Sequence, residues 1–161
     1  MYIIVGLGNP GEEYARTRHN TGRMAADFLK NKVSGIKIVT PDTYMNESGR
    51  AVAKAMVGKK AKNLIVIYDD LDLPLGTLKI SYNRSSGGHK GLESIIRALK
   101  TKEFIRIRIG IGKAKDVEKH ILSDFKKPEL ETLKKVFKKA TEAVQTMVAE
   151  GLTIAMTKFN A

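Results

Sequence analysis

The sequence has no cysteine, only four prolines, and no apolar run longer than five residues among its 161. Without cysteine there is no disulfide, no thiol nucleophile and no thiolate metal site. Apolar runs of this length are strand-sized and fall far short of the ~20 residues that span a bilayer. The N-terminal stretch MYIIVGLGNPG carries no basic region ahead of its apolar residues, so no secretory signal is expected and the cytoplasm is the expected location. No membrane partner is expected either. Acidic residues are also in short supply: 17 Asp and Glu face 29 Lys and Arg, for a net charge of +12. That excess suits a polyanionic partner, through steering and counterion release, or a solvated lysine-rich surface. Composition does not choose between them.

The chain length fits one domain with its own core, and residues 1–161 read as a single α/β unit. YIIV at 2–5 reads as a short buried strand ending at Gly6 and Gly8. Asn20 and Thr21 can cap a helix to about residue 32, with Met24, Ala25, Phe28 and Leu29 on its apolar face. IKIV at 36–39 is a strand stopped by Pro41, and a second helix is expected from about Met45 to Val57. LIVIY at 64–68 has the composition of a central strand in an α/β sheet. TLKISY at 77–82 alternates as a half-buried strand. A polar glycine loop, NRSSGGHKG at 83–91, leads into a helix with Leu92, Ile95, Ile96 and Leu99 on one face. FIRIRIGIG at 104–112 predicts one buried face and one that presents Arg106 and Arg108 to solvent. Pro128 opens a long helix with Leu130, Leu133, Phe137, Ala140, Val144 and Met147 on one side. Alternating strands and helices predict a twisted, mostly parallel or mixed sheet flanked by helices.

In open α/β sheets ligands collect beyond the carboxyl ends of the strands. Four polar segments fall at such ends or at helix starts: Gly8-Asn9-Pro10, Arg18-His19-Asn20, Tyr44-Met45-Asn46 and Asp69-Asp70-Leu71-Asp72. The Gly87-Gly88-His89 loop lies beyond the next strand. This set offers an imidazole, carboxylates and amides, with neither a serine elbow nor metal-ligand spacing. An imidazole can take a proton from water. A carboxylate on its other ring nitrogen holds the tautomer, and amides can donate to an oxyanion. Other readings stand beside this one. His19 can be a cap or a surface residue, Asn46 an N-cap, the DDLD cluster a Mg²⁺ site, and the glycine pair a phosphate cradle.

Taken in order, IVGLGNPGEEYARTRHNTG at 3–22, PDTYMNESGRAV at 41–52, IYDDLDLPLGTLK at 67–79, SSGGHKGLESII at 85–96 and FIRIRIGIGK at 104–113 resemble the bacterial-type peptidyl-tRNA hydrolase family. The resemblance implies hydrolysis of the ester between a nascent peptide and the 3′ end of tRNA, without cofactor or metal, by a monomer. It implies His19 as general base, Asp69 as its orienting carboxylate, and Asn9 and Asn46 as holders of substrate or oxyanion. Tyr14, Met45, Gly88 and Lys90 fall along the substrate cleft, and Lys79 and Arg108 at positions that meet tRNA phosphates, with further Lys and Arg in the 113–127 connector adding to that surface. Two departures stand out. Lys90 occupies the place of a usual asparagine in GGHNG, and an ammonium donates but cannot accept. The stretch between the first helix and PDTYMN is also shorter by roughly twenty residues, about two short strands, so one sheet edge should differ. A noncatalytic RNA-binding relative and a Mg²⁺-dependent phosphohydrolase using Asp69, Asp70 and Asp72 are the competing functions.

Overall fold

A computed structural model describes all residues 1–161. Five strands form one sheet in the order β2-β1-β3-β5-β4: β1 Tyr2–Gly6, β2 Ile36–Val39, β3 Leu64–Asp70, β4 Leu78–Tyr82 and β5 Ile105–Gly110. All pairings are parallel except β4–β5, which is antiparallel. The expected mixed sheet is present. β3 sits at its centre and runs two residues beyond the apolar LIVIY, so Asp69 and Asp70 belong to the strand itself.

Alternate residues of each strand feed two cores. On one face Ile4, Ile65, Ile67, Ile105 and Ile107 pack under α1 (Thr21–Leu29), α5 (Lys127–Glu150) and α6 (Leu152–Phe159). On the other, Ile3, Val5, Val66 and Tyr68 pack under α2 (Ser48–Ala55) and α3 (Lys90–Leu99). A short α4, Val117–Ile121, bridges β5 and α5. Several boundaries differ from expectation. The first helix stops at Leu29, and the second begins at Ser48 after a single 3₁₀ turn over Met45–Glu47. Gly151, with φ of +93°, breaks the terminal helix in two. The resulting α6 brings Asn160 alongside β4, where its side-chain amide pairs with both backbone groups of Ile80 at 2.8 Å. That contact blunts the free edge of β4.

The expected solvent face of β5 is not there. Arg106 is fully buried and Arg108 is 6% exposed. β4 pairs outside β5, so β5 is an interior strand, and its arginine face is covered by the loops whose carbonyls, Ser85 O and Lys102 O, accept from Arg106. Arg106 lies over the Phe104 ring at 4.1 Å, and Arg108 Nε donates to Asp70 Oδ2 at 2.8 Å.

Helix α1 approaches β3 closely at Gly22, where a Cβ would overlap the backbone carbonyl of Ile67. Backbone cannot yield there as a flexible side chain could. Gly22→Ala is expected to destabilise the fold by about 3 kcal/mol, the upper range for overpacking. A denaturant midpoint equal to that of the wild type would contradict this packing.

Candidate active site

Asp69 is 4% exposed at the carboxyl end of β3, and each of its oxygens meets an imidazole. Oδ2 lies 2.7 Å from His19 Nδ1, and Oδ1 lies 2.9 Å from His89 Nε2. The tautomers follow from the remaining contacts. His89 is the N-cap of α3, and its Nδ1 accepts from the backbone N–H of Gly91 at 3.1 Å and of Leu92 at 3.4 Å. Its proton therefore sits on Nε2 and is donated to Asp69. His19 likewise donates Nδ1–H to Asp69, which leaves Nε2 as a lone pair with no protein partner. This is the tautomer that a general base requires. His89 was missed as a site residue in the sequence, where only its place beside the glycine pair marked it.

The turn that carries His19 is held from below. Arg18 donates to Ser123 Oγ at 2.9 Å and to Asp124 O at 2.6 Å, and forms a two-pronged pair with Glu129 at 2.8 and 3.0 Å. A bridge between Thr17 and Asp124 ties the same turn to the α4–α5 connector. On the other side Asn20, expected as a helix cap, makes no capping bond. Its amide instead accepts from Asn9 N and donates to Asn9 O, both at 2.9 Å. Asn9 is thus fixed one residue away from His19 in this network. Its Oδ1 accepts from Met45 N at 2.8 Å, so its Nδ2 is the free donor.

A cleft of about 730 Å³ opens over this centre, bounded by His19, Asp69, the 84–90 loop and the apolar side of α4. Gly88 and Lys90 line it. The Lys90 side chain is 72% exposed, with Nζ 3.9 Å from Glu93. Met45 is buried beneath the start of α3, against Gly91. Asn46 is exposed and makes no hydrogen bond through its side chain, so it is not the N-cap of α2. Tyr14 is half-buried and stands edge-on to exposed Tyr44, with ring centroids 6.4 Å apart. Neither Asn9 nor these last residues border the main cleft; Asn9 opens onto a neighbouring depression of about 300 Å³. Lys79 and Arg108 are direct cross-strand partners in the β4–β5 pair.

Burial opposes charge on both members of the central pair, but their mutual attraction prevails. Burial disfavours protonation of His19, yet the Asp69 carboxylate beside it and their hydrogen bond raise its pKa above 6.5. Burial likewise disfavours ionised Asp69, but His89, His19 and the bonds from both hold it well below the usual carboxylate range. The donor atoms of His19, Asp69 and His89 lie within 4.8 Å of one another. Both carboxylate oxygens and one nitrogen from each ring are, however, already spent on one another, so a metal would have to break these bonds. The DDLD carboxylates also diverge. Asp70 binds Arg108, while exposed Asp72 lies 3.4 Å from Lys113.

The family model for peptidyl-tRNA hydrolase matches residues 3–38 and 30–161. The chain belongs to the peptidyl-tRNA hydrolase family. The two matched stretches overlap at 30–38, at the shortened segment. The chain is 44% identical to the peptidyl-tRNA hydrolase of Thermodesulfovibrio yellowstonii over 185 aligned positions, covering 99% of each chain. It is 44% identical to that of Pseudothermotoga lettingae, covering 99% of this chain and 97% of the relative. Alignments this long for a 161-residue chain mean that these relatives carry a segment it lacks. The crystal structure of peptidyl-tRNA hydrolase from Acinetobacter baumannii superposes with a TM-score of 0.92 at 29% identity, covering 100% of this chain and 95% of that one. No helix of this family member is long and apolar enough to cross a membrane.

The pair shapes the pH dependence of stability. With its folded pKa raised, His19 contributes stability that is complete below about pH 6.5 and lost as pH rises through the folded value. With its folded pKa depressed, Asp69 contributes above about pH 3.9 and loses that contribution as pH falls through its folded value. The pair therefore stabilises most between these limits. Asp69→Asn should lessen the fall of the urea midpoint above about pH 6.5 and below about pH 3.9, and NMR should show the His19 ring titrating at lower pH. A His19 titration unmoved by this substitution would break the assignment.

Proposed function

We propose that this chain hydrolyses the ester joining an N-blocked nascent peptide to the 3′ end of tRNA, recycling tRNA from peptidyl-tRNA released by stalled ribosomes. The observation that carries the reading is the free Nε2 of His19, held in its basic tautomer by Asp69 at the floor of the cleft. Water bound at Nε2 attacks the ester carbonyl carbon while its proton passes to the imidazole. Asp69 stabilises the imidazolium as it forms, as the acid of a triad does. The Nδ2 donor of Asn9, together with the unpaired amide of Asn46, holds the substrate or the developing oxyanion. Collapse of the tetrahedral species breaks the bond to the ribose oxygen, which leaves with the proton returned by His19. Ester cleavage makes small demands on the leaving group, so this route uses neither metal nor cofactor.

Tyr14 and Met45 shape the peptide side of the site, with Gly88 and Lys90 along the other wall. Lys90 donates to a peptide carbonyl or a phosphate but cannot accept as an asparagine would. Lys79 and Arg108 meet phosphates near the acceptor end. Arg108 is limited by its bonds to Asp70 and Ser81, which leave Nη2 as its contact to the substrate. The enzyme works as a monomer in the cytoplasm.

Release of peptide from an N-blocked aminoacyl-tRNA tests this reading directly. His19→Ala should lower kcat by about 10²–10⁴-fold, the usual worth of a positioned base, and EDTA should leave the wild-type rate unchanged. Turnover by the variant at the wild-type rate would sink the general-base role, and loss of turnover in EDTA would return the carboxylates to a metal. Because the base acts unprotonated and its pKa is raised, the acid limb of kcat/KM should lie above pH 6.5. Asp69→Asn should lower kcat sharply with modest change in KM, and should move that limb to lower pH.

A further inference from the structure

The sheet face beside α3 carries more positive charge than the two residues already placed on it. Lys79 and Ser81 of β4 share this face with Arg106 and Arg108 of β5, as the bond from Arg108 Nη1 to Ser81 Oγ at 3.3 Å requires. Moving down the β4–β5 pair from Lys79 opposite Arg108 to Tyr82 opposite Ile105 covers three residues, about 10 Å. At that end two loops abut: Asn83 N donates to Phe104 O at 3.4 Å, and Arg106 donates to Ser85 O at 3.4 Å and Lys102 O at 3.0 Å. Exposed Arg84 projects from one loop, and exposed Lys100 and Lys102 from the other. None of these three has a carboxylate within 4.0 Å.

Three guanidinium groups are thus gathered with one paired carboxylate, Asp70, and the exposed Glu103 nearby. Burial lowers the Arg106 pKa, and the cations of Arg84 and Arg108 lower it further against the opposing pull of Tyr68. Like charges held this close raise the energy of the free protein and fall in energy when an anion arrives.

We infer that Arg84, Lys100 and Lys102 extend the Lys79–Arg108 contact into a phosphate track that carries the acceptor stem of the tRNA away from the cleft. The inference rests on the proposed activity and deepens it, because the track begins at the catalytic end of the sheet, passes Arg84 on the wall of the cleft, and leads to Lys100 and Lys102 at the opposite end. A backbone running along it would be held by charge without reading of sequence. It also answers why the cleft rim can carry Asp72 and Glu118 and still receive a polyanion: attraction comes from the flank.

The test compares two substrates, a full-length N-blocked aminoacyl-tRNA and a short CCA oligonucleotide bearing the same ester but no stem. For the double variant Lys100→Ala/Lys102→Ala, KM for the full-length substrate should rise several-fold and the salt slope of log(kcat/KM) should become shallower by about 1.4 to 1.8, at ~0.7–0.9 per phosphate contact. Its kcat, and its KM for the short substrate, should stay at wild-type values. Lys134→Ala/Lys138→Ala on α5, across the sheet, serves as a charge control and should change neither substrate. Unchanged KM and slope with full-length tRNA would overturn the track. So would an equal loss on both substrates, or an equal loss in the α5 control. Wild-type failure on both substrates would instead remove the proposed activity.

Discussion

A carboxylate buried at the end of a central strand, with one imidazole on each oxygen, is the interaction on which the site depends. Asp69 is costly to bury as a charge, and its two ring donors are what make the ionised form tenable. That requirement propagates outward. His89 must present Nε2–H, which it does because the first N–H groups of α3 occupy its Nδ1. His19 must present Nδ1–H, which leaves Nε2 without a protein partner. The helix start, the strand end and the turn before α1 are therefore mutually constraining, and each fixes the protonation of the others.

The anchoring of that turn extends the constraint to the C-terminal half. Arg18 ties it to the α4–α5 connector and to Glu129, in the first turn of the longest helix. The C-terminal third lies within the stretch 30–161 that the family model matches. Its contribution to the site is indirect, through the position it enforces on His19 and through the apolar side of α4 that walls the cleft.

Much of this was legible in the sequence, and the parts that were not share a cause. The strand cores and the helix stripes followed from the periodicity of apolar residues, and the pairing of His19 with Asp69 from the resemblance carried by the ordered motifs. His89 went unassigned because a histidine beside two glycines reads as loop until the direction of α3 is known. The solvated face of β5 was wrong because alternation of Ile and Arg reports two different faces without saying whether both are covered. Asn20 looked like a helix cap by position. Its amide instead braces Asn9, a contact across eleven residues that no local rule signals.

What the sequence by itself determined is what depends on local pattern: the order and type of the elements, the size of the domain, the excess of positive charge, and the presence of a base, an acid and amides near strand ends. Tertiary structure alone decided which neighbours these groups would have. The insertion of β5 between β3 and β4 turned an amphipathic strand into an interior one and drew Arg108 to Asp70. The meeting of β3, α3 and the turn before α1 gave Asp69 two imidazoles where the sequence had indicated one. Hydrogen-bond partners are set by approach in space, and the period of a strand or helix carries no information about what crosses its end.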